Sequence, residues 1–125
     1  MRSKLQIAVI ALGALFTLEG IGWLVFPTRA ASGLGMPLLD GLGRSTQIGD
    51  FAVFFLALGL SILVGTGPRR ARVLYAPAAV LGGAAAFRIV AWAVQGAAFA
   101  TAFIVLEIVA SGLLLALAAR EQRYA

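Results

Sequence analysis

The sequence predicts an all-α fold, a four-helix antiparallel bundle that spans a membrane. Hydrophobic residues make up 62% of the 125 residues, charged residues only 12%, and the mean hydropathy is +1.00. Average soluble domains carry about 25% charged residues, and a small soluble fold cannot remove this much apolar surface from water. The apolar residues also form four runs, each near the length of about 20 residues that crosses the hydrocarbon core.

The whole chain, residues 1–125, is predicted to form one domain. The predicted spans cover residues 5–26, 47–64, 73–94 and 97–118. Pro27 ends the first span, and the Gly- and Pro-containing residues 65–68 end the second. Pro77 falls in the first turn of the third span, where its missing N–H disrupts no helical hydrogen bond. Gly96 leaves almost no connector before the fourth span, which predicts a tight helical hairpin.

Two segments at the first span need separate interpretation. Arg2 and Lys4 precede an apolar run, as in a signal peptide, but the run is too long for one and contains Glu19, so we expect a retained span. The loop at residues 27–46 is rich in glycine and has an apolar cluster. We expect it to lie at the membrane interface, either as a plain connector or as a lid.

The basic residues predict the orientation of the bundle. Those on one side are Arg2, Lys4, Arg69, Arg70, Arg72, Arg120 and Arg123. The other side has only Arg29 and Arg44. The positive-inside rule then predicts that both termini lie in the cytoplasm. We expect the chain to be a multi-pass protein of the inner (plasma) membrane. This distribution accounts for the net charge of +5, so nucleic acid is not an expected partner.

The chain has no cysteine and no histidine, which excludes disulfides, thiolate nucleophiles and zinc sites built from those residues. No cofactor or metal is therefore predicted. Membrane lipid is an expected partner of any such bundle. A small lipophilic ligand, a second copy of the chain and a larger membrane complex are the other partners that the sequence leaves open.

Each predicted span carries one ionisable residue, namely Glu19, Asp50, Arg88 and Glu107. Charges within spans are rare and costly, and they usually face a bundle interior or an aqueous cavity. At about 1.5 Å of rise per residue, all four fall in one layer about 10 Å thick, on the side away from the termini. We therefore predict a single polar cluster, in which Arg88, aided by Arg44, pairs with Glu19.

The charge balance of this cluster suggests chemistry. Three carboxylates face two arginines, so one carboxyl is expected to hold a proton or a bound cation, and Glu107, the deepest, is the candidate. Glu107, Glu19 and Asp50 are the predicted catalytic acid–base residues. The predicted ligand-binding residues are Arg88, Arg44, Trp23, Trp92, Gln47 and Gln95. The alternatives are an ion-pair cluster that only holds the helices together, and an interfacial aromatic belt for the tryptophans.

Four segments carry a resemblance to a known family: LEGIGWLVFP (18–27), GRSTQIGDFAVFFLALGL (43–60), FRIV (87–90) and LEIVASG (106–112). They resemble a bacterial family of small four-span membrane proteins known only as a domain of unknown function. The resemblance implies a four-helix membrane fold and no activity. A weaker likeness, through chain size and the position of Glu19, is to small multidrug-resistance transporters. This chain differs from them because every span is charged and the aromatic pattern of their later spans is missing.

Three functions fit these observations. The first is a membrane-embedded site that binds or transforms a small lipophilic ligand by acid–base chemistry. The second is an accessory or structural subunit of a membrane complex, which the small-residue helix faces would suit. The third is a proton-coupled transporter that acts as a dimer and exchanges a proton for a cationic substrate.

Overall fold

The computed structural model describes residues 2–123, which contain five α-helices and no strand. The helices are α1 (Lys4–Val25), α2 (Pro27–Gly33), α3 (Gly41–Gly65), α4 (Tyr75–Gln95) and α5 (Thr101–Arg123). A 3-10 turn at Ala71–Leu74 leads directly into α4. Four helical segments, α1, α3, α4 with its 3-10 turn, and α5, are long and apolar enough to cross a membrane. The predicted all-helical, four-span fold is confirmed, and the chain is a small multi-pass membrane protein.

The helix bounds differ from the predicted spans by one or two residues at most ends, and by four to six residues at the start of α3 and at both ends of α5. The loop between the first two spans contains α2, which begins at Pro27 because proline suits the first position of a helix. Helix α3 begins at Gly41, six residues before the predicted span, since its first turns are polar and carry little hydropathy. Gly96 ends α4 in the left-handed conformation, with φ 69°, and residues 97–100 separate it from α5.

Helices α1 and α3 pack through glycines, so their backbones come into close contact. A Cβ atom added to Gly20 would lie 2.8 Å from the backbone nitrogen of Leu56. One added to Gly59 would collide with the backbone nitrogen of Thr17 and the carbonyl oxygen of Gly13. Small residues allow such approach in lipid, where van der Waals packing drives helix association. Helices α1 and α3, with α2 and its linker, therefore form one unit of the bundle.

Helices α4 and α5 form the second unit, an antiparallel hairpin. The hydroxyl of Ser111 donates to the carbonyl oxygen of Ala78 at 2.8 Å. The two units join at the end of the bundle that holds the described termini and the 3-10 turn, which we call the terminus end. Buried apolar residues from all four long helices and the 3-10 turn meet there: Val9, Ile62, Leu74, Ala78, Leu114 and Leu117.

The two units separate toward the opposite end, which we call the α2 end. The hairpin has no fully buried residue between Ala86 and Phe103, a range that the structure describes throughout. Trp92 and Phe99 are exposed and pack on each other, with ring centroids 5.2 Å apart. Helices α3 and α4 make little contact. The two units thus share buried apolar residues toward the terminus end and separate toward the α2 end.

Candidate functional site

A cavity of about 460 Å³ lies between the two units, where they separate. Each of the four long helices lines it, together with Gly33 at the end of α2 and Leu34 after it. Its charged lining residues are Glu19, Asp50, Arg88 and Glu107, which are the four ionisable residues of the predicted spans. We call this space the charged cavity. It brings together on one surface the residues that the sequence placed in one layer.

The four charges lie at similar distances from the helix ends nearest the α2 end. Glu19 and Glu107 are six residues from those ends, Arg88 is seven and Asp50 is nine. At 1.5 Å per residue these separations correspond to about 9 to 14 Å along the helices. Because Asp50 lies on a helix that begins earlier than predicted, it is farther from its helix end than the sequence suggested.

Most of the remaining lining is aromatic or aliphatic. Five phenylalanines line the cavity, Phe16, Phe51, Phe54, Phe55 and Phe103. The leucines are Leu15, Leu34, Leu81 and Leu106. Phe16 precedes Glu19 by three residues, Phe54 follows Asp50 by four, and Phe103 precedes Glu107 by four. Residues three and four apart share a helix face, so each carboxylate stands beside an aromatic ring.

Arg88 pairs with Glu107, and the predicted pairing of Arg88 with Glu19 is wrong. The guanidinium Nε donates to the Glu107 carboxylate at 2.8 Å, and the guanidinium carbon Cζ lies 4.8 Å from the centre of the Phe103 ring. The Glu107 side chain is 10% exposed and that of Arg88 36%. The hairpin explains the pairing: Arg88 is seven residues before the end of α4 and Glu107 six after the start of α5, so antiparallel helices place them face to face.

This pairing changes which carboxylates lack a cation. Glu107 was the candidate for an uncompensated carboxyl, yet it holds the guanidinium. Within residues 2–123, neither Glu19 nor Asp50 forms a salt bridge. Glu19 is partly buried and Asp50 is exposed. With all groups ionised, the lining carries three negative charges and one positive, a net charge of −2.

Arg44 and the two tryptophans lie outside the cavity lining. Arg44 forms an exposed salt bridge with Asp40 at 3.0 Å, one helical turn away, so it does not support Glu19. Trp23 is fully buried between α1 and α3, where it stacks on Phe51 with centroids 4.9 Å apart. Trp92 is 51% exposed and packs on Phe99. Trp23 thus supports the wall of the cavity from behind.

Gln95 and Gln47 also lie outside the lining. Gln95 is exposed in the last turn of α4. Gln47 is buried and fixes the linker between α2 and α3. Its side-chain carbonyl accepts from the Leu39 N–H at 2.7 Å, and its amide donates to the Pro37 carbonyl at 3.1 Å.

Replacing Gln47 with leucine is expected to free the linker. The Leu39 N–H and the Pro37 carbonyl would lose their partner, at a cost of about 1–2 kcal/mol. Hydrogen exchange at the Leu39 amide measures the effect and should accelerate about tenfold, which corresponds to about 1.4 kcal/mol. The exposed Thr46→Val change is the control and should leave this exchange unchanged. Slow exchange in both variants would mean that Gln47 does not fix the linker.

The sequence interpretation did not include the phenylalanines as lining residues. A signal for three of them was present, because Phe16, Phe54 and Phe103 share helix faces with the carboxylates. Phe51 and Phe55 had no such signal, since they follow Asp50 by one and five residues. They line the cavity because of the way α3 is rotated about its axis relative to α1. In this orientation Phe55 packs on Phe16, with ring centroids 6.0 Å apart.

Comparison with protein-family models, curated proteins and solved structures found no match for this chain. The comparisons therefore supply no residue roles, and the site is defined by its own geometry. The geometry shows a small four-span membrane protein with a buried Arg88–Glu107 ion pair on the wall of a phenylalanine-lined cavity.

Proposed function

We propose that the charged cavity binds a small lipophilic ligand that carries a positive charge. The observation that supports this proposal is the combination of five phenylalanines with three carboxyl groups and one guanidinium on the lining. The proposal keeps the predicted location of the protein in the inner (plasma) membrane and the predicted orientation with both termini in the cytoplasm. The resemblance to four-span membrane families lends no residue roles to it.

The charge imbalance selects the ligand class. Carboxylates in an apolar cavity are unfavourable unless a cation or a proton compensates them. Glu19 and Asp50 have no basic partner within residues 2–123, so a ligand cation would supply the missing charge. The face of a phenylalanine ring also attracts cations, by about 0.5–2 kcal/mol depending on how far the contact is removed from water. A lipophilic body would fill the apolar remainder of the cavity.

The same carboxyl groups are the proposed acid–base groups of the site. Glu19 and Asp50 are available to exchange a proton with a bound ligand, because neither forms a salt bridge with an arginine in the described chain. Glu107 is held by Arg88, so we assign this pair to shaping the cavity and to orienting a polar oxygen of the ligand. Proton transfer needs a group within hydrogen-bond reach of the ligand, and both carboxylates line the cavity in which we propose that the ligand binds.

Two ions of matched size and opposite charge test the ligand class. Tetraphenylphosphonium is expected to bind the purified protein in a neutral detergent, and tetraphenylborate is expected to bind at least about tenfold more weakly, a difference of about 1.4 kcal/mol. Isothermal titration calorimetry measures both affinities. The Glu19→Gln/Asp50→Asn double variant should lose most of the preference for the cation, since it removes both uncompensated carboxylates.

The control removes two carboxylates outside the charged cavity, as Asp40→Asn/Glu121→Gln. It should keep the preference of the unaltered protein. Thermal unfolding followed by circular dichroism confirms that each variant is folded. Equal affinity for the two ions, or equal loss in the two double variants, would contradict a cation site. Absence of binding by either ion would instead favour an accessory or structural role.

A further inference from the structure

A second cavity lies at the terminus end of the bundle, away from the charged cavity. It has a volume of about 880 Å³ and lies, open on one side, between the start of α1, the segment after α3 and the end of α5. Three arginines line it, Arg2, Arg69 and Arg72. The acidic residue of its described lining is Glu121, which already accepts a hydrogen bond from Arg120 at 3.3 Å. We call this space the arginine pocket.

The backbone at Arg69 is unusual. Its φ is 61°, and within residues 2–123 it is the single non-glycine residue with a positive φ. This left-handed conformation costs a residue with a Cβ atom about 1–2 kcal/mol. Strained positions of this kind persist only where the surrounding structure holds them in place, and they cluster at ligand-binding sites. A glycine would relieve the strain, yet the chain keeps an arginine on the pocket wall.

We propose that the arginine pocket binds a phosphate-bearing anion, with the headgroup of an anionic phospholipid as the first source to test. Guanidinium groups match phosphate oxygens with two parallel hydrogen bonds. Basic pockets between helices at the membrane surface bind phospholipid headgroups in this way. Polar side chains of Gln6, Thr66 and Gln122 complete the lining.

The positive-inside rule alone does not account for this arrangement. It explains why basic residues are frequent near one membrane face. It does not require three of them to line one concave space, or one to sit on a left-handed backbone. Arg70 and Arg123 are at the same end and outside the pocket lining, so the chain itself offers basic residues that satisfy the rule without a site.

The Arg69→Gly/Arg72→Gln variant tests the proposal. Glycine accepts a positive φ, so the segment should keep its shape while two positive charges leave the pocket. Native mass spectrometry of protein in bilayer nanodiscs measures how much phosphatidylglycerol is retained over phosphatidylcholine. We expect a loss of about tenfold or more, because each arginine near an anionic surface contributes about fivefold. The thermal midpoint in phosphatidylcholine alone should stay unchanged or rise.

The matched control is Arg70→Gln/Arg123→Gln, which removes two positive charges from the same end. It should retain phosphatidylglycerol as the unaltered protein does. An equal loss in both double variants would show diffuse surface charge and overturn the proposal. So would an unaltered protein that shows no preference for phosphatidylglycerol.

A second experiment distinguishes a soluble phosphate from a lipid headgroup as the ligand of the arginine pocket. Pyrophosphate is titrated into protein held in a neutral detergent without anionic lipid. Binding that the pocket variant loses and the control keeps would assign the anion site to soluble phosphates. Absence of pyrophosphate binding, with lipid retention still sensitive to the pocket variant, would assign the site to the headgroup.

Discussion

Replacing Arg88 with leucine is expected to destabilise the bundle by about 3 kcal/mol, because Glu107 would be left buried without its cation. The estimate is at the low end of the range for a broken buried pair, since the Arg88 side chain is 36% exposed. Unfolding in mixed dodecylmaltoside and dodecyl sulfate micelles, followed by circular dichroism, measures the free energy of unfolding.

The Arg88→Leu/Glu107→Leu variant separates an ion pair from simple packing. Removing both charges abolishes the uncompensated carboxylate, so this variant should be more stable than Arg88→Leu alone. Arg44→Leu is the surface control, because its pair with Asp40 is exposed and should contribute less than about 1 kcal/mol. A double variant that is less stable than Arg88→Leu would show that Glu107 has other stabilising contacts.

Replacing Gly59 with alanine is expected to separate α1 from α3 and to cost about 3 kcal/mol, the upper end of the range for overpacking. The added Cβ would meet backbone atoms of Thr17 and Gly13, which cannot rotate away as a side chain can. The intrinsic gain of alanine over glycine in a helix, about 1 kcal/mol, would be outweighed. The same micelle titration measures this loss.

Gly112→Ala on α5 is the matched control. A Cβ atom there would meet nothing within 4 Å, so the variant should be at least as stable as the unaltered protein. Comparable losses at Gly59 and Gly112 would mean that helix flexibility, and not close packing, accounts for the effect. The Gly59→Ala variant should also alter the charged cavity, since α1 and α3 carry Glu19 and Asp50 on its wall.

Several features of the charged cavity were predictable from the sequence. The four ionisable residues each stand alone in an apolar run, and the cost of an isolated charge in lipid predicts that they face one another. The alternating direction of the spans places them on one side of the bundle. The structure has all four on the lining of one cavity, together with aromatic residues one turn away.

The pairing within the cavity was not predictable in the same way. Sequence position gives the depth of a residue but not the rotation of its helix, and rotation decides whether Arg88 faces Glu19 or Glu107. The linker shows the same limit, because the sequence did not indicate that the Gln47 side chain hydrogen-bonds the backbone of Leu39 and Pro37. A glutamine inside a span has the same local sequence in either role.

The sequence by itself determined that this protein lies in a membrane, which segments cross it, and that the four charges within those segments share one layer. It could do so because hydropathy and helical rise are local properties of the chain. Tertiary structure alone decided that glycines bring α1 and α3 together while the α4–α5 hairpin stands apart at the α2 end. It also decided that Arg88 pairs with Glu107 and leaves Glu19 and Asp50 without a basic partner in the described chain. These outcomes depend on which helix faces meet, and that choice is made by packing between segments distant in sequence.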